Sequence, residues 1–262
     1  MNEARPRIVA VSGLSSNTGK TTLVCELLKH LPGWEAIKIT RGHYRSCGKD
    51  PSGCCVSDLL RDRPLIRSGR DANYEKGKDT GRFWDAGAEN VHWVIVGEDQ
   101  VEDGINEALA HVRSPGVIVE GNSFLDFVEP DLAIICARAG ENKLKTSARR
   151  TLQKADAIYL STIEPCSLSE ALARFERWRS GLTIDLPTEG LPTFSRDQIP
   201  QLLERIHLDL SHRYSMIPAL PGSQFASLAL AAISITAGST LTTLFRSISI
   251  VTLTICTGAP CA

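Results

Sequence analysis

An apolar run, Ile8-Val9-Ala10-Val11, breaks at Ser12-Gly13 into the small-residue loop Leu14-Ser15-Ser16-Asn17-Thr18, and after Gly19 the chain resumes as Lys20-Thr21-Thr22-Leu23. A strand, a glycine-bounded loop and a lysine-led helix in that order restrict the chain to folds in which backbone curls beneath a helix start. Gly13 and Gly19 permit the curl, the first-turn amides point into it, and the helix dipole favours negative charge there. A polyphosphate is the expected occupant. Asn17, Thr18, Gly19 and Thr22 would line the cradle, Lys20 would reach the β- and γ-phosphates as the main catalytic cation, and the Thr21 hydroxyl would sit on Mg²⁺.

Further apolar runs at Ala36–Ile39, Val91–Val96, Val117–Val119, Leu132–Cys136 and Ala157–Leu160 alternate with helical patterns. Helices are expected at Lys20–Lys29, Val101–Val112, Lys145–Lys154, Ser167–Ser180 and Arg196–Ile206, the fourth opened by the capping pair Ser167 and Glu170. Such alternation predicts an α/β fold with a doubly wound, mostly parallel sheet, of the P-loop NTPase type. The nucleotide-binding domain is expected over residues 1–213. Within it the stretch 41–90, rich in Gly, Arg and Asp, reads as a long functional loop on the ligand side of the sheet.

From Tyr214 to Ala262 the only charged side chain is Arg246, so 214–262 reads as a separate, uncharged, Ser/Thr-rich tail. Phe225–Phe245 is long enough to span a bilayer, yet it carries many hydroxyl side chains and no flanking basic cluster. No membrane partner and no function are assigned to it.

The formal net charge of −1 gives nothing to recruit nucleic acid, so anion binding must come from a local site. Met1–Arg7 lacks the apolar core of a secretion signal, and a cytoplasmic location is expected. The eight cysteines would then be thiols. Cys25 and Cys136 fall at apolar positions and read as small core residues. Cys47, Cys54 and Cys55, with His43 upstream, form a candidate second metal cluster, although their spacing fits no common zinc pattern and mobile thiols are the favoured reading.

Val117-Ile118-Val119-Glu120-Gly121 supplies a strand ending in a carboxylate suited to Mg²⁺, with Gly121 leaving an amide free to face the γ-phosphate. Asp126, Glu129 and Asp131 in the next loop are alternatives to Glu120. The basic cluster Lys143, Lys145, Arg149 and Arg150 reads as a solvated helix face.

The second specific signal is Gly77-Lys78-Asp79-Thr80-Gly81-Arg82, followed by Ala86-Gly87-Ala88. Together with the loop at Gly13–Thr22, Lys38 and His43 around the second strand, and Glu120-Gly121, it resembles the molybdopterin-guanine dinucleotide biosynthesis protein B family over residues 7 to 165. That family comprises P-loop GTP-binding proteins acting beside the guanylyltransferase of molybdenum-cofactor assembly, and its members form dimers. The resemblance implies Lys38 and Arg82 as nucleotide-binding residues, Asp79 as a catalytic residue, and a guanylyltransferase partner.

The glycine spacing is one residue longer than usual, Leu14 to Thr18, as also in dethiobiotin synthetases. Gly42 replaces a second histidine, and Asn122-Ser123-Phe124 stands where the family has a lysine or aromatic residue. No guanine-reading Asn/Thr-Lys-x-Asp pattern is present, and Thr162-Ile163-Glu164-Pro165 is its nearest positional equivalent.

Three functions follow: a GTP- or ATP-binding accessory protein with slow hydrolysis, a small-molecule kinase or ATP-dependent ligase of the dethiobiotin synthetase type, or a nucleotide-gated binding module.

Overall fold

The computed structural model describes residues 5–42, 59–140, 144, 146–163, 166–182, 187–188 and 190–215. Among them run strands β1 (Arg7–Gly13), β2 (Glu35–Arg41), β3 (Leu65–Ser68), β4 (Val91–Val96), β5 (Gly116–Glu120), β6 (Leu132–Arg138), β7 (Ala157–Ser161) and β8 (Thr193–Phe194). The helices are α1 (Lys20–His30), α2 (Arg70–Asn73), α3 (Asp79–Asp85), α4 (Val101–His111), α5 (Thr146–Leu152), α6 (Leu168–Ser180) and α7 (Ile199–Ser215).

The strands join in the order β3-β4-β2-β5-β1-β6-β7-β8, parallel throughout except for the antiparallel β3–β4 pair. The two faces are read directly from alternate residues. Val9 and Val11 of β1 pack with Leu23, Leu27, Phe83 and Leu202 beneath α1, α3 and α7, whereas Ile8 and Ala10 pack with Ile105 and Phe124 on the α4 side. Ile135, Ile158 and Leu160 extend the second face under α5 and α6, against Leu152 and Phe175. Burial on both faces is what demands apolar residues at nearly every position of the central strands. The sheet is doubly wound and mostly parallel.

Residues 41–90 are not one long loop. They contain the edge strand β3 and the helices α2 and α3, which bring the chain back against α1. Asn73 ties this return together: its Nδ2 donates to Arg67 O and Val91 O, and its Oδ1 accepts from Trp84 Nε1. The expected Arg196 helix start is likewise shifted: Arg196–Gln198 forms a 3-10 turn, closed by the reciprocal pair Ser195 and Gln198, and α7 follows it. Ser167 caps α6 with the expected Glu170 partner.

Cys25, Cys136 and Cys166 are free thiols, and burial pushes Cys25 up to about 11, which leaves it unreactive at neutral pH. His43, Cys47, Cys54, Cys55, Lys143, Lys145 and the tail from Met216 lie outside the described residues. Among those described, no helix is long and apolar enough to cross a membrane.

At the end of the sheet where the parallel strands begin, a buried polar cluster joins β2 to β4. Glu35 Oε2 accepts from His92 Nε2 at 2.6 Å, while Glu35 Oε1 accepts from the Arg113 and Ser114 amides at 2.8 Å each. Ser68 Oγ completes the cluster, 2.7 Å from His92 Nδ1.

Candidate functional site

At the opposite end of the sheet, β1 stops at Gly13 and the loop turns under α1. Asn17 (φ 58°) and Gly19 (φ 84°) adopt left-handed backbone, and Gly19 N-caps α1 with no side chain bonded to the first-turn amides and no acidic residue in that turn. The helix start therefore points its first-turn amides and positive dipole at the loop. A Cβ on Gly19 would stand 2.9 Å from the Ser161 Cβ, so both space and dihedral angle favour glycine there. Lys20 Nζ folds back over the loop and donates to Ser15 O at 3.1 Å, and Thr18 Oγ1 braces the same carbonyl at 3.2 Å.

Strand register builds the acidic part. In the β2–β5 pairing Lys38 is opposite Glu120, and α3 starts at Asp79 above them. Lys38 Nζ lies 2.7 Å from Glu120 Oε1 and 2.6 Å from Asp79 Oδ2, and Thr21 Oγ1 donates to Glu120 Oε2 at 3.1 Å. Burial works against the Lys38 ammonium, but the Glu120 and Asp79 carboxylates outweigh it and raise its pKa. Burial would likewise raise Asp79, yet Lys38, a hydrogen bond from Thr21 and the charge of Arg82 bring it below the ordinary carboxylate value. Thr21, Lys38, Asp79 and Glu120 thus form one cluster, with Arg82 Nη2 donating to Thr22 Oγ1 at its edge.

Asn122 is the residue that sequence reasoning missed. Its Oδ1 accepts from Gly13 N at 3.0 Å and its Nδ2 donates to Gly13 O at 2.8 Å, so the residue after Glu120-Gly121 clamps the end of β1. Gly121 adds its own amide, which donates to Val11 O, so that amide is engaged within the sheet. The alternatives to Glu120 serve elsewhere: Asp126 pairs with Arg150, Glu129 lies 4.0 Å from Lys154, and Asp131 accepts from Ile8 N and Arg5. Lys78 is exposed and pairs with Glu75, away from the cluster. Arg149 and Arg150 are exposed, as a solvated face requires.

Two cavities flank the loop. One of about 150 Å³ is lined by Gly13, Lys20, Lys38, Arg41, Glu120 and Asn122. The other, about 800 Å³, opens beside Asn17 and Gly19 between the ends of β6 and β7, with Arg138, Tyr159, Arg196 and Asp197 in its wall. Thr162 and Ile163 line it too, whereas Glu164-Pro165 lies outside the described residues.

Gly81 holds α3 in place. A Cβ there would fall 2.0 Å from the Glu75 carbonyl oxygen, a backbone atom that cannot rotate away. Gly81→Ala is expected to destabilise the fold by about 1–3 kcal/mol and to move Asp79 off Lys38. Chemical denaturation reads the first effect, and weakened dependence of nucleotide binding on Mg²⁺ reads the second.

No protein-family model and no curated protein matches the chain. Among solved structures it is similar to LpxK from Aquifex aeolicus in complex with ATP, at 17% identity over 73% of this chain and 54% of that one, TM-score 0.41. The matched region spans about half of the LpxK chain. It is also similar to HypB from Helicobacter pylori in complex with nickel, at 13% identity over 84% of this chain and 92% of that one, TM-score 0.41. Likeness this distant says nothing about which residues act in this chain.

Proposed function

We propose that the chain binds a magnesium nucleoside triphosphate, ATP or GTP, with its phosphates in the Gly13–Thr22 loop, and that alone it hydrolyses the nucleotide slowly. The observation that carries this reading is the conjunction at one point of an uncapped helix start, a left-handed Gly19, the inward Lys20 and the Thr21–Glu120 hydrogen bond. Phosphates would replace the Ser15 carbonyl as the partner of Lys20, and the α1 amides would take the phosphate oxygens. The larger cavity leads away from Gly19 and has room for ribose and base, with Asp197 and the Arg138 and Arg196 guanidinium groups as polar contacts.

The donor set fits Mg²⁺. Thr21 Oγ1, Glu120 and Asp79 are hard oxygen donors, and few protein ligands suffice because Mg²⁺ keeps waters and phosphate oxygens in its shell. Among the described residues no group of three His, Cys, Asp or Glu side chains gathers into a separate metal site. When bound, the ion supplies charge neutralisation to the phosphates. Lys20 would do the same from the loop side, while Asp79 and Glu120 would hold the ion.

Hydrolysis is favoured over transfer to a large acceptor by the size of the smaller cavity. At about 150 Å³ it is well under the roughly 300–1,000 Å³ of sites that enclose a drug-sized ligand, and it suits a phosphoryl group with a water or a small anion. The four-motif resemblance extends the reading to an accessory role beside a molybdenum-cofactor guanylyltransferase, with a homodimer as the working form in the cytoplasm. Phosphate release from ATP and GTP is the test. We expect Mg²⁺-dependent turnover below about 1 per second, the low end of the kinase range, unaffected by small-molecule acceptors. Acceptor-stimulated turnover above that rate would instead establish a kinase or ligase.

A further inference from the structure

Lys38 occupies an unusual place. Its ammonium stands between Glu120 and Asp79 at 2.7 and 2.6 Å, against the two carboxylates assigned above to the metal, while Thr21 bonds the same Glu120. The side chain is only 17% exposed, and it borders the cavity that also holds Lys20 and Arg41.

We propose that Lys38 is a displaceable counter-ion: a divalent cation entering between Asp79 and Glu120 expels the Lys38 ammonium into the smaller cavity, where it becomes a binding group for a phosphoryl or other small anionic group. The proposal rests on the magnesium nucleotide reading of the same site. A divalent ion and an ammonium sharing two carboxylates within a few ångströms repel strongly in a partly buried setting, so one must leave. The metal has the advantage of a third protein oxygen, Thr21 Oγ1, which already bonds Glu120.

The backbone need not move for the exchange. Lys38 sits in the middle of β2 between the buried Ile37 and Ile39, and its flexible four-carbon stem can carry the ammonium from one wall of the cavity to its interior. Once the metal has taken Glu120, the remaining charged groups of that wall are Lys20, Lys38 and Arg41, with Arg41 partly offset by Glu98 at 3.2 Å. The cavity then favours an anion. Without metal, Lys38 is held by the carboxylates and the anion site is incomplete, so metal entry and anion binding are coupled through one side chain.

The test uses the full chain and metal alone. Mn²⁺ binding without nucleotide, followed by electron paramagnetic resonance, is expected to tighten at least about tenfold in Lys38→Met, because the competing charge is gone. In the unaltered chain, reductive methylation read by mass spectrometry is expected to label Lys38 several-fold more after addition of Mg²⁺. This second measurement decides the matter alone if circular dichroism shows Lys38→Met to be unfolded. Unchanged or weaker Mn²⁺ binding in a folded variant, or Lys38 labelling indifferent to Mg²⁺, overturns the proposal. Nucleotide calorimetry is independent of both readouts: a heat with Mg-ATP beside an unresponsive Lys38 removes the displacement and leaves the nucleotide reading standing.

Discussion

Glu120→Gln is expected to lower Mg²⁺-dependent phosphate release by at least about 100-fold, the scale on which removal of one charge-stabilising group acts in preorganised sites. The substitution preserves shape but removes the charge that faces Lys38 and Thr21. Because Glu120 is 1% exposed, no solvent compensates for the loss. The variant should still bind nucleotide in EDTA about as well as the unaltered chain, since the loop amides and Lys20 are untouched. Steady-state phosphate release in Mg²⁺ and nucleotide affinity by calorimetry in EDTA separate the two effects. Equal loss of both would place Glu120 in the folding of the loop instead of in metal binding.

The second large effect lies at the far end of the sheet. Glu35→Ala is expected to cost about 3–5 kcal/mol, because it leaves several buried hydrogen-bonding groups without their partner at about 1–3 kcal/mol each. It strips an acceptor from His92 Nε2 and from the Arg113 and Ser114 amides at once. For a domain of this size that is a fall in Tm of roughly 6–20 °C.

The pH dependence follows from the same contacts. Burial would raise the Glu35 pKa, but the His92 ring and the two amides outweigh it and hold the group below its ordinary 4.5. A carboxyl depressed on folding contributes stability that is present above its unfolded value and is lost as pH falls through the folded one. The acid side of the stability profile should therefore flatten in Glu35→Gln. Differential scanning calorimetry between pH 3 and 7, values chosen to bracket the carboxylate range, checks both expectations. A Tm within 2 °C or so of the unaltered chain for Glu35→Ala, corresponding to less than about 1 kcal/mol, would show the cluster to be energetically idle.

The central strands were readable because a strand buried on both faces must be apolar almost throughout. Val91–Val96 matches β4 residue for residue, and the boundaries of the other runs fall within two residues of those of β1, β2, β5, β6 and β7. Leu65–Ser68 gave no such signal. β3 is a short edge strand, half exposed and set among arginines, so neither alternation nor a continuous apolar run marks it. With β3 hidden, α2 and α3 looked like loop, and the return of Asp79 to Lys38 across 40 intervening sequence positions could be inferred only from the family resemblance.

Lys20, Thr21 and Glu120 carry local signatures, a glycine loop before a helix and a carboxylate at a strand tip. Asn122 carries none: its bonds to Gly13 join positions more than a hundred residues apart, and nothing near Asn122 announces them. Glu35 and His92 had a usable clue that went unread. Each is a titratable residue at or near the start of an inner strand of the sheet, a position where burial demands a partner.

Isothermal calorimetry with ATP and GTP in Mg²⁺, on the folded full chain and on Lys20→Ala, is the decisive measurement for the loop at Gly13–Thr22. A saturable heat with at least one nucleotide, weakened by about 100-fold or more in the variant, equivalent to about 2.7 kcal/mol, is the expected result. Absence of saturable heat with both nucleotides, or equal affinity in Lys20→Ala, would contradict phosphate binding at this loop.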